Sequence, residues 1–173
     1  MNGGQTDLQT AVLETTWGDI SIAAGDHGVM ACDLPKASAK PIPFRVLRVH
    51  LPRGAKPALR QAVAFARALV EEREPGACPA LDLAAIGGAT TFRCAVWAAL
   101  RRIPRGRTAT YSDLARRAGH PRAARAAGSA CGANPLPLFV PCHRVVAASG
   151  HLGGFSSGLA WKIRLLSGEG AWR

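Results

Sequence analysis

The residues with the greatest chemical potential stand together at Pro141-Cys142-His143-Arg144-Val145. A thiol beside an imidazole and a guanidinium can be held as the nucleophilic thiolate, provided that the groups converge in space. Adjacent residues on an extended strand point to opposite faces, so Cys142 and His143 meet only if the segment turns. The other cysteines, Cys32, Cys78, Cys94 and Cys131, read as small hydrophobes. Five cysteines without a C-x-x-C pair suit reduced thiols and argue against a disulfide framework or structural zinc. No metal or cofactor is expected.

Charge is the second signal. The 173 residues carry a formal charge of +11, with 22 Lys or Arg against 11 Asp or Glu. Residues 1–85 are balanced, nine against nine, whereas residues 86–173 hold thirteen basic residues and only two acids, Asp113 and Glu169. Such a basic half is the electrostatic footprint of a polyanion binder, with nucleic acid as the leading partner. An arginine-rich solvated face is the alternative reading of the same charge.

Around these residues the chain reads as one domain or two small ones. Val12–Ile22 and Gly28–Leu34 have the pattern of short strands in an antiparallel sheet, and 57–74 that of an amphipathic helix covering it. The Gly/Pro/Ala-rich stretch 75–89 reads as a connection. Phe92, Ala95, Val96, Ala99 and Leu100 then fall at i, i+3, i+4, i+7 and i+8, a helix capped by Thr90 or Thr91.

Further on, Ser112 is expected to cap a helix that Gly119 closes, and Pro121 to open a second over 121–132. Two short helices joined by a tight turn fit a helix-turn-helix or an ordinary helical hairpin. In the second, Arg122 and Arg125 are the only long side chains among small ones, suiting close approach to a partner or close packing on the core. Residues 140–155 read as a hairpin or wing, and 159–166 as a last helix. The polar start, residues 1–10, does not fit a secretory signal, and no apolar run is long enough to span a membrane.

From Thr91 to Ala171 the chain resembles the active-site domain of the O6-alkylguanine-DNA alkyltransferases. The shared features are Phe92, Val96-Trp97, Leu100, Ile103-Pro104, Gly106, Tyr111, Ala123-Ala124-Arg125-Ala126, Asn134-Pro135, the Pro-Cys-His-Arg-Val run, Gly150, Gly153, Lys162, Leu165-Leu166 and Glu169. The first 85 residues are similar to the family's N-terminal lobe in outline.

The resemblance implies an α/β protein: a small N-terminal antiparallel sheet with a helix, ribonuclease H-like, over residues 1–85. A mostly helical, winged helix-turn-helix domain would follow over residues 86–173. It implies a methylated-DNA–protein-cysteine methyltransferase. Cys142 would accept the alkyl group irreversibly, once per molecule, from O6-alkylguanine in double-stranded DNA, with O4-alkylthymine left open. His143 would be the base, acting through a water, Glu169 its orienting carboxylate, and Tyr111 a proton donor to guanine N3.

Asn134 would tie the recognition helix to the active-site loop. Arg125 would fill the stack after the base is flipped from the minor groove, with Arg122, Ala124, Ala126, Ala127, Gly128 and Ser112 also against DNA. Pro137, Val145, Phe155, Ser156 and Ser157 would form the pocket. The carbonyls of Cys142 and Val145 would accept from the guanine amine, and the Ser156 amide would face O6.

Phe155 stands where many members have Tyr, which removes a hydroxyl but keeps the aromatic wall. Gly25 and Met30 occupy the positions where some members place zinc ligands, so no metal is implied. The expected protein is a cytoplasmic, nucleoid-associated monomer, with cooperative DNA binding left open. Three alternatives remain: a relative that binds alkylated guanine without transfer, a winged helix-turn-helix regulator with an inert thiol, and a Cys-His hydrolase. The first lacks the acceptor cysteine that Cys142 supplies. The second needs polar side chains at base edges, of which an alanine-rich helix has few.

Overall fold

The computed structural model describes residues 7–36, 43–86 and 88–172. The start of the polar stretch, residues 1–6, lies outside them. Strands β1 (Gln9–Thr15), β2 (Ile20–Gly25), β3 (Gly28–Asp33) and β4 (Val46–His50) form an antiparallel sheet in the order β3-β2-β1-β4. Alternate residues Ala11, Leu13, Ile20, Ile22 and Ala24 are fully buried on one face, as a half-covered sheet requires. Helix α1 (Pro57–Val70), with Pro57 at its start, lays Leu59, Ala62, Val63, Ala66, Leu69 and Val70 on that face.

Two expectations need correction here. Val12–Ile22 is not one strand but the hairpin β1–β2, because Gly18 takes φ +111° and the Thr15 side chain bonds its carbonyl to close the turn. α1 ends at Val70 rather than at Glu74, since Glu72 takes a left-handed conformation, φ +58°.

Helices α2 (Thr91–Arg101), α3 (Tyr111–Arg117) and α4 (Ala124–Gly132) pack on one another, and α5 (Leu159–Gly168) packs on α1. Thr90 caps α2 by accepting from the Arg93 amide. The Trp97 indole, almost fully buried, donates to the Ala130 carbonyl at 3.0 Å and locks α2 to α4. β5 (Ala109–Thr110) and β6 (Val145–Val146) form a two-stranded parallel pair that brings the start of α3 beside the segment after Cys142.

The sheet and the helices share one apolar core. The Cys32 amide donates to the Pro135 carbonyl at 2.9 Å, so strand β3 is fastened to the segment that leads toward Cys142, and the Trp161 indole donates to the Pro35 carbonyl at 2.8 Å, tying α5 to the chain just after β3.

Three more boundaries differ from the sequence reading. Thr110, not Ser112, caps α3, in a reciprocal capping box with Asp113; Ser112 is exposed in its first turn. Pro121 and Arg122 lie in the turn before α4, which starts at Ala124. The hairpin over 140–155 is absent: residues 142–144 form a 3₁₀ turn, β6 pairs with β5 instead, and 151–155 form no strand.

The Thr110 cap leads directly into Tyr111. Thr110→Ala is expected to lower stability by about 1–2 kcal/mol in urea unfolding; an unchanged midpoint would contradict the cap's role.

Candidate active site

Three short segments meet at Cys142. The chain after α4 is stopped by Asn134 and Pro135, the 3₁₀ turn Cys142–Arg144 lifts adjacent side chains out of the alternation of a strand, and the end of α5 delivers Glu169. Asn134 is buried and uses both ends of its amide. Its Nδ2 donates to the Val140 carbonyl at 2.7 Å and to Cys142 Sγ at 3.1 Å, and its Oδ1 accepts from the Leu136 amide at 3.0 Å.

His143 is buried, and its Nε2 lies 3.1 Å from Glu169 Oε1. A carboxylate only accepts, so Nε2 carries the proton and Nδ1 presents its lone pair. Nδ1 is buried and has no hydrogen-bond partner among the described residues. Sγ and the imidazole are therefore not directly bonded to each other.

Arg144 grips the same carboxylate in fork geometry, Nε to Oε2 at 2.9 Å and Nη2 to Oε1 at 2.7 Å, while its Nη1 donates to the Ile103 carbonyl at 2.7 Å. The Gly106 amide approaches Oε2 at 3.4 Å, and Arg105 donates to the Gly168 carbonyl at 2.8 Å.

The electrostatics follow from this arrangement. Burial opposes the charged form of Glu169, yet the hydrogen bonds from His143 and Arg144 outweigh it and hold the carboxyl down at about 2. Burial pulls His143 below its ordinary value, opposed by Glu169, so the imidazole rests neutral. Burial also pushes the Cys142 thiol up, opposed by the Asn134 hydrogen bond. At rest the site holds a thiol, a neutral imidazole able to take its proton, and a fixed negative charge ready to stabilise the imidazolium.

Cys142 lines a cavity of about 150 Å³ together with Tyr111, Gly128, Cys131, Gly132, Gly154, Phe155 and Ser156. Gly153 has φ +70°, and a Cβ there would come within 3.1 Å of the Tyr111 hydroxyl, so only glycine lets the loop close on that ring. Burial raises the Tyr111 phenol, which keeps it protonated and able to donate.

Of the expected pocket residues, Phe155 and Ser156 line the cavity, but Pro137, Val145 and Ser157 do not. Val145 is fully buried, its carbonyl already accepting from Lys162. Pro137 and Ser157 line a separate cleft beside Cys32 and Asp33. On α4, Ala127 and Ala130 pack into the core, while Arg125, Ala126, Ser129 and Gly132 are exposed, so close packing and a smooth outer face both occur, on opposite sides. Ala124 is half-buried, and Arg122 is exposed in the preceding turn.

Sequence reasoning missed Cys131 as a cavity wall, the fork of Arg144 on Glu169, and Lys162. The signal for Lys162 was present: with Leu165 and Leu166 it falls at i, i+3 and i+4 on the apolar stripe of α5.

Fold and site together define a protein with a buried cysteine beside an imidazole–carboxylate pair, beneath a surface helix that carries an exposed arginine. Residues 91–171 match the family model described as the DNA-binding domain of 6-O-methylguanine DNA methyltransferase. The chain is 35% identical over 161 residues to a methylated-DNA–protein-cysteine methyltransferase of Methanosarcina acetivorans, covering 93% of this chain and 97% of that one. It is 49% identical over 83 residues to the protein of that name from Salmonella typhimurium, covering 48% of each. The structure of Mycobacterium tuberculosis OGT in complex with DNA superimposes with a TM-score of 0.72 at 32% identity, over 92% of this chain and 91% of that one. The chain belongs to the methylated-DNA–protein-cysteine methyltransferase family.

Because the Glu169 carboxyl lies below its ordinary value, it contributes stability that is present above the unfolded carboxyl pKa and is lost as pH falls toward about 2. In acid unfolding, Glu169→Gln is expected to lose that part of the pH dependence and to be destabilised at neutral pH, where Arg144 keeps its charge without a partner. An acid transition identical to that of the unaltered protein would contradict the depressed carboxyl.

Proposed function

We propose that this chain repairs alkylated DNA by direct reversal, moving the alkyl group of O6-alkylguanine onto Cys142. The observation that carries the reading is one face of α4. Arg125, Gly128 and Gly132 stand at i, i+3 and i+7, and the two glycines line the cavity that holds Cys142. An arginine thus stands on the helix face that borders the thiol's cavity.

In the proposed reaction the Cys142 proton passes through a water to Nδ1 of His143, and Glu169 stabilises the imidazolium. The sulfur attacks the O6-alkyl carbon, the carbon–oxygen bond breaks, and its electron pair remains on guanine. Tyr111 supplies a proton toward N3, and the product is a thioether, so each molecule reacts once. O4-alkylthymine remains a test substrate on the same chemistry.

The target atom is stacked inside a duplex, so the base must be turned out, and Arg125 fills the gap from the minor groove. In this reading α3 and α4 are the helix-turn-helix, Ser112, Arg122, Ala124, Ala126 and Gly128 belong to its DNA side, Ala127 is withdrawn from it because it is fully buried in the core, and the loop after β6 serves as the wing. Residues 1–85 form a ribonuclease H-like lobe and residues 86–173 the DNA-binding, alkyl-accepting one. Among the described residues no helix is long and apolar enough to cross a membrane. We place the protein in the cytoplasm, bound to DNA as a monomer.

Incubation with duplex O6-methylguanine is expected to add one methyl group to the peptide containing Cys142, once per molecule, and Cys142→Ala to abolish the transfer. A Cys142→Ala protein that still transferred would overturn the assignment. Arg125→Ala is expected to slow repair of duplex DNA by about ten- to a hundredfold, the kinetic equivalent of a few kcal/mol of unstacking, while sparing reaction with a free O6-benzylated base. Equal losses on both substrates would refute the arginine's role.

A further inference from the structure

Among the described residues Glu72 alone has a positive φ, +58°, without being glycine. It stands just past α1, where its amide donates to the Leu69 carbonyl at 3.1 Å and the Arg73 amide to the Ala68 carbonyl at 2.8 Å. This is the helix-ending pattern whose left-handed residue is usually glycine. A larger side chain persists in that conformation only where its surroundings hold it.

Two contacts hold Glu72, and both lead to α5. Its Oε1 lies 3.0 Å from Arg164 Nη1, and its Cγ packs on Gly168, where an added Cβ would come within 2.8 Å of it. Arg164 also donates from Nε and Nη2 to the Val70 carbonyl, at 3.0 and 2.7 Å, capping the end of α1 with a side chain from another helix. The Arg164 guanidinium sits 4.2 Å from the centre of the Phe44 ring, and Phe44, Trp17 and Trp161 pack edge-on against one another beside it.

Gly168 is the residue before Glu169. Its carbonyl accepts from Arg105 Nη2 at 2.8 Å, and Arg105 Nε pairs with Glu74 at 3.2 Å. The segment after α1 therefore reaches the last turn of α5 by two routes, through the side chain of Glu72 packed on Gly168 and through Glu74 and Arg105 at its carbonyl.

We propose that Glu72 and Arg164 form a clasp through which the end of α1 sets the place of Glu169, so that both are positioning residues for the His143–Glu169 pair. The proposal rests on the reading of Glu169 as the carboxylate that serves His143. α5 ends on Glu169, whose side chain has to meet His143, Arg144 and the Gly106 amide at once. Arg144 holds the carboxylate by two hydrogen bonds and His143 by one, at 3.1 Å, so a last turn that drifts loses the imidazole first. The conformation of Glu72 acquires a reason: glycine would end α1 as well, but it would leave Gly168 uncovered and Arg164 without its carboxylate.

The test is proton–nitrogen NMR of the His143 ring, read as the exchange of its Nε2 proton with water, together with single-turnover methyl transfer. Glu72→Gly is the main variant, because glycine accepts the left-handed conformation without strain and α1 ends as before. The ring proton is expected to exchange about tenfold faster, as local opening of its hydrogen bond requires. Methyl transfer is expected to slow by about tenfold with affinity for duplex DNA unchanged, the mark of a displaced catalytic pair. Arg164→Met should act in the same direction, and Glu72→Gln, which still covers Gly168 and accepts from Arg164, should stay close to the unaltered protein.

A clasp that served stability alone would lower the melting temperature of Glu72→Gly and leave ring proton and transfer rate unmoved, and that result overturns the proposal even if Arg164→Met fails to fold. The NMR measurement uses no DNA. A ring proton unprotected in the unaltered protein would remove the His143–Glu169 reading and the clasp with it, whereas a protected proton indifferent to Glu72→Gly removes the clasp alone.

Discussion

The charge on Glu169 is the constraint around which the site is organised. A thiol and an imidazole removed from water both favour their neutral forms, and moving a proton between them creates two buried charges at once. The carboxylate makes that transfer feasible because it is charged before the reaction begins. Arg144 in fork geometry and the Gly106 amide hold it so, while His143 Nε2 occupies the oxygen that remains within reach. The fork on Oε1 and Oε2 also fixes the plane of the carboxylate, and thereby the ring nitrogen that is left as acceptor.

Positioning comes from elements far apart in the chain. Asn134 joins the end of α4 to the Cys142 turn through one side chain with three partners, so a shift of the helix is felt at the sulfur. The β3–Pro135 hydrogen bond anchors that segment to the sheet, and the Trp161–Pro35 contact ties α5 to the chain just after β3, which gives the first half of the chain a part in the site without contributing a residue to the cavity. α4 shows small residues on both sides for two reasons: Ala127 and Ala130 let it pack tightly on the core, and Gly128 and Gly132 leave room for the cavity.

Much of this was legible wherever the signal is local. The Thr90 cap, the apolar stripe of α2, the Gly119 stop and the last helix all follow from neighbouring residues. The α3 cap was misread because Thr110 and Ser112 are both good caps, and only the carboxylate of Asp113, three residues after Thr110, distinguishes them. The hairpin over residues 140–155 was misread because β6 finds its partner in β5, a pairing across a long sequence separation that alternation within those residues cannot reveal. The family resemblance named Cys142, His143, Glu169 and Asn134, and the structure brings these four together. It places Pro137 and Val145 away from the cavity, because side-chain direction in an irregular segment depends on packing that sequence does not display.

The central claim is that a neutral His143 takes the Cys142 proton, and the most direct measurement is the pH dependence of single-turnover methyl transfer from duplex O6-methylguanine. If the imidazole is the acceptor, the rate is level from neutral to mildly alkaline pH and falls only in acid, where the ring becomes protonated. A rate that climbs about tenfold per pH unit through that range, following the ionisation of an unassisted thiol, would contradict the account.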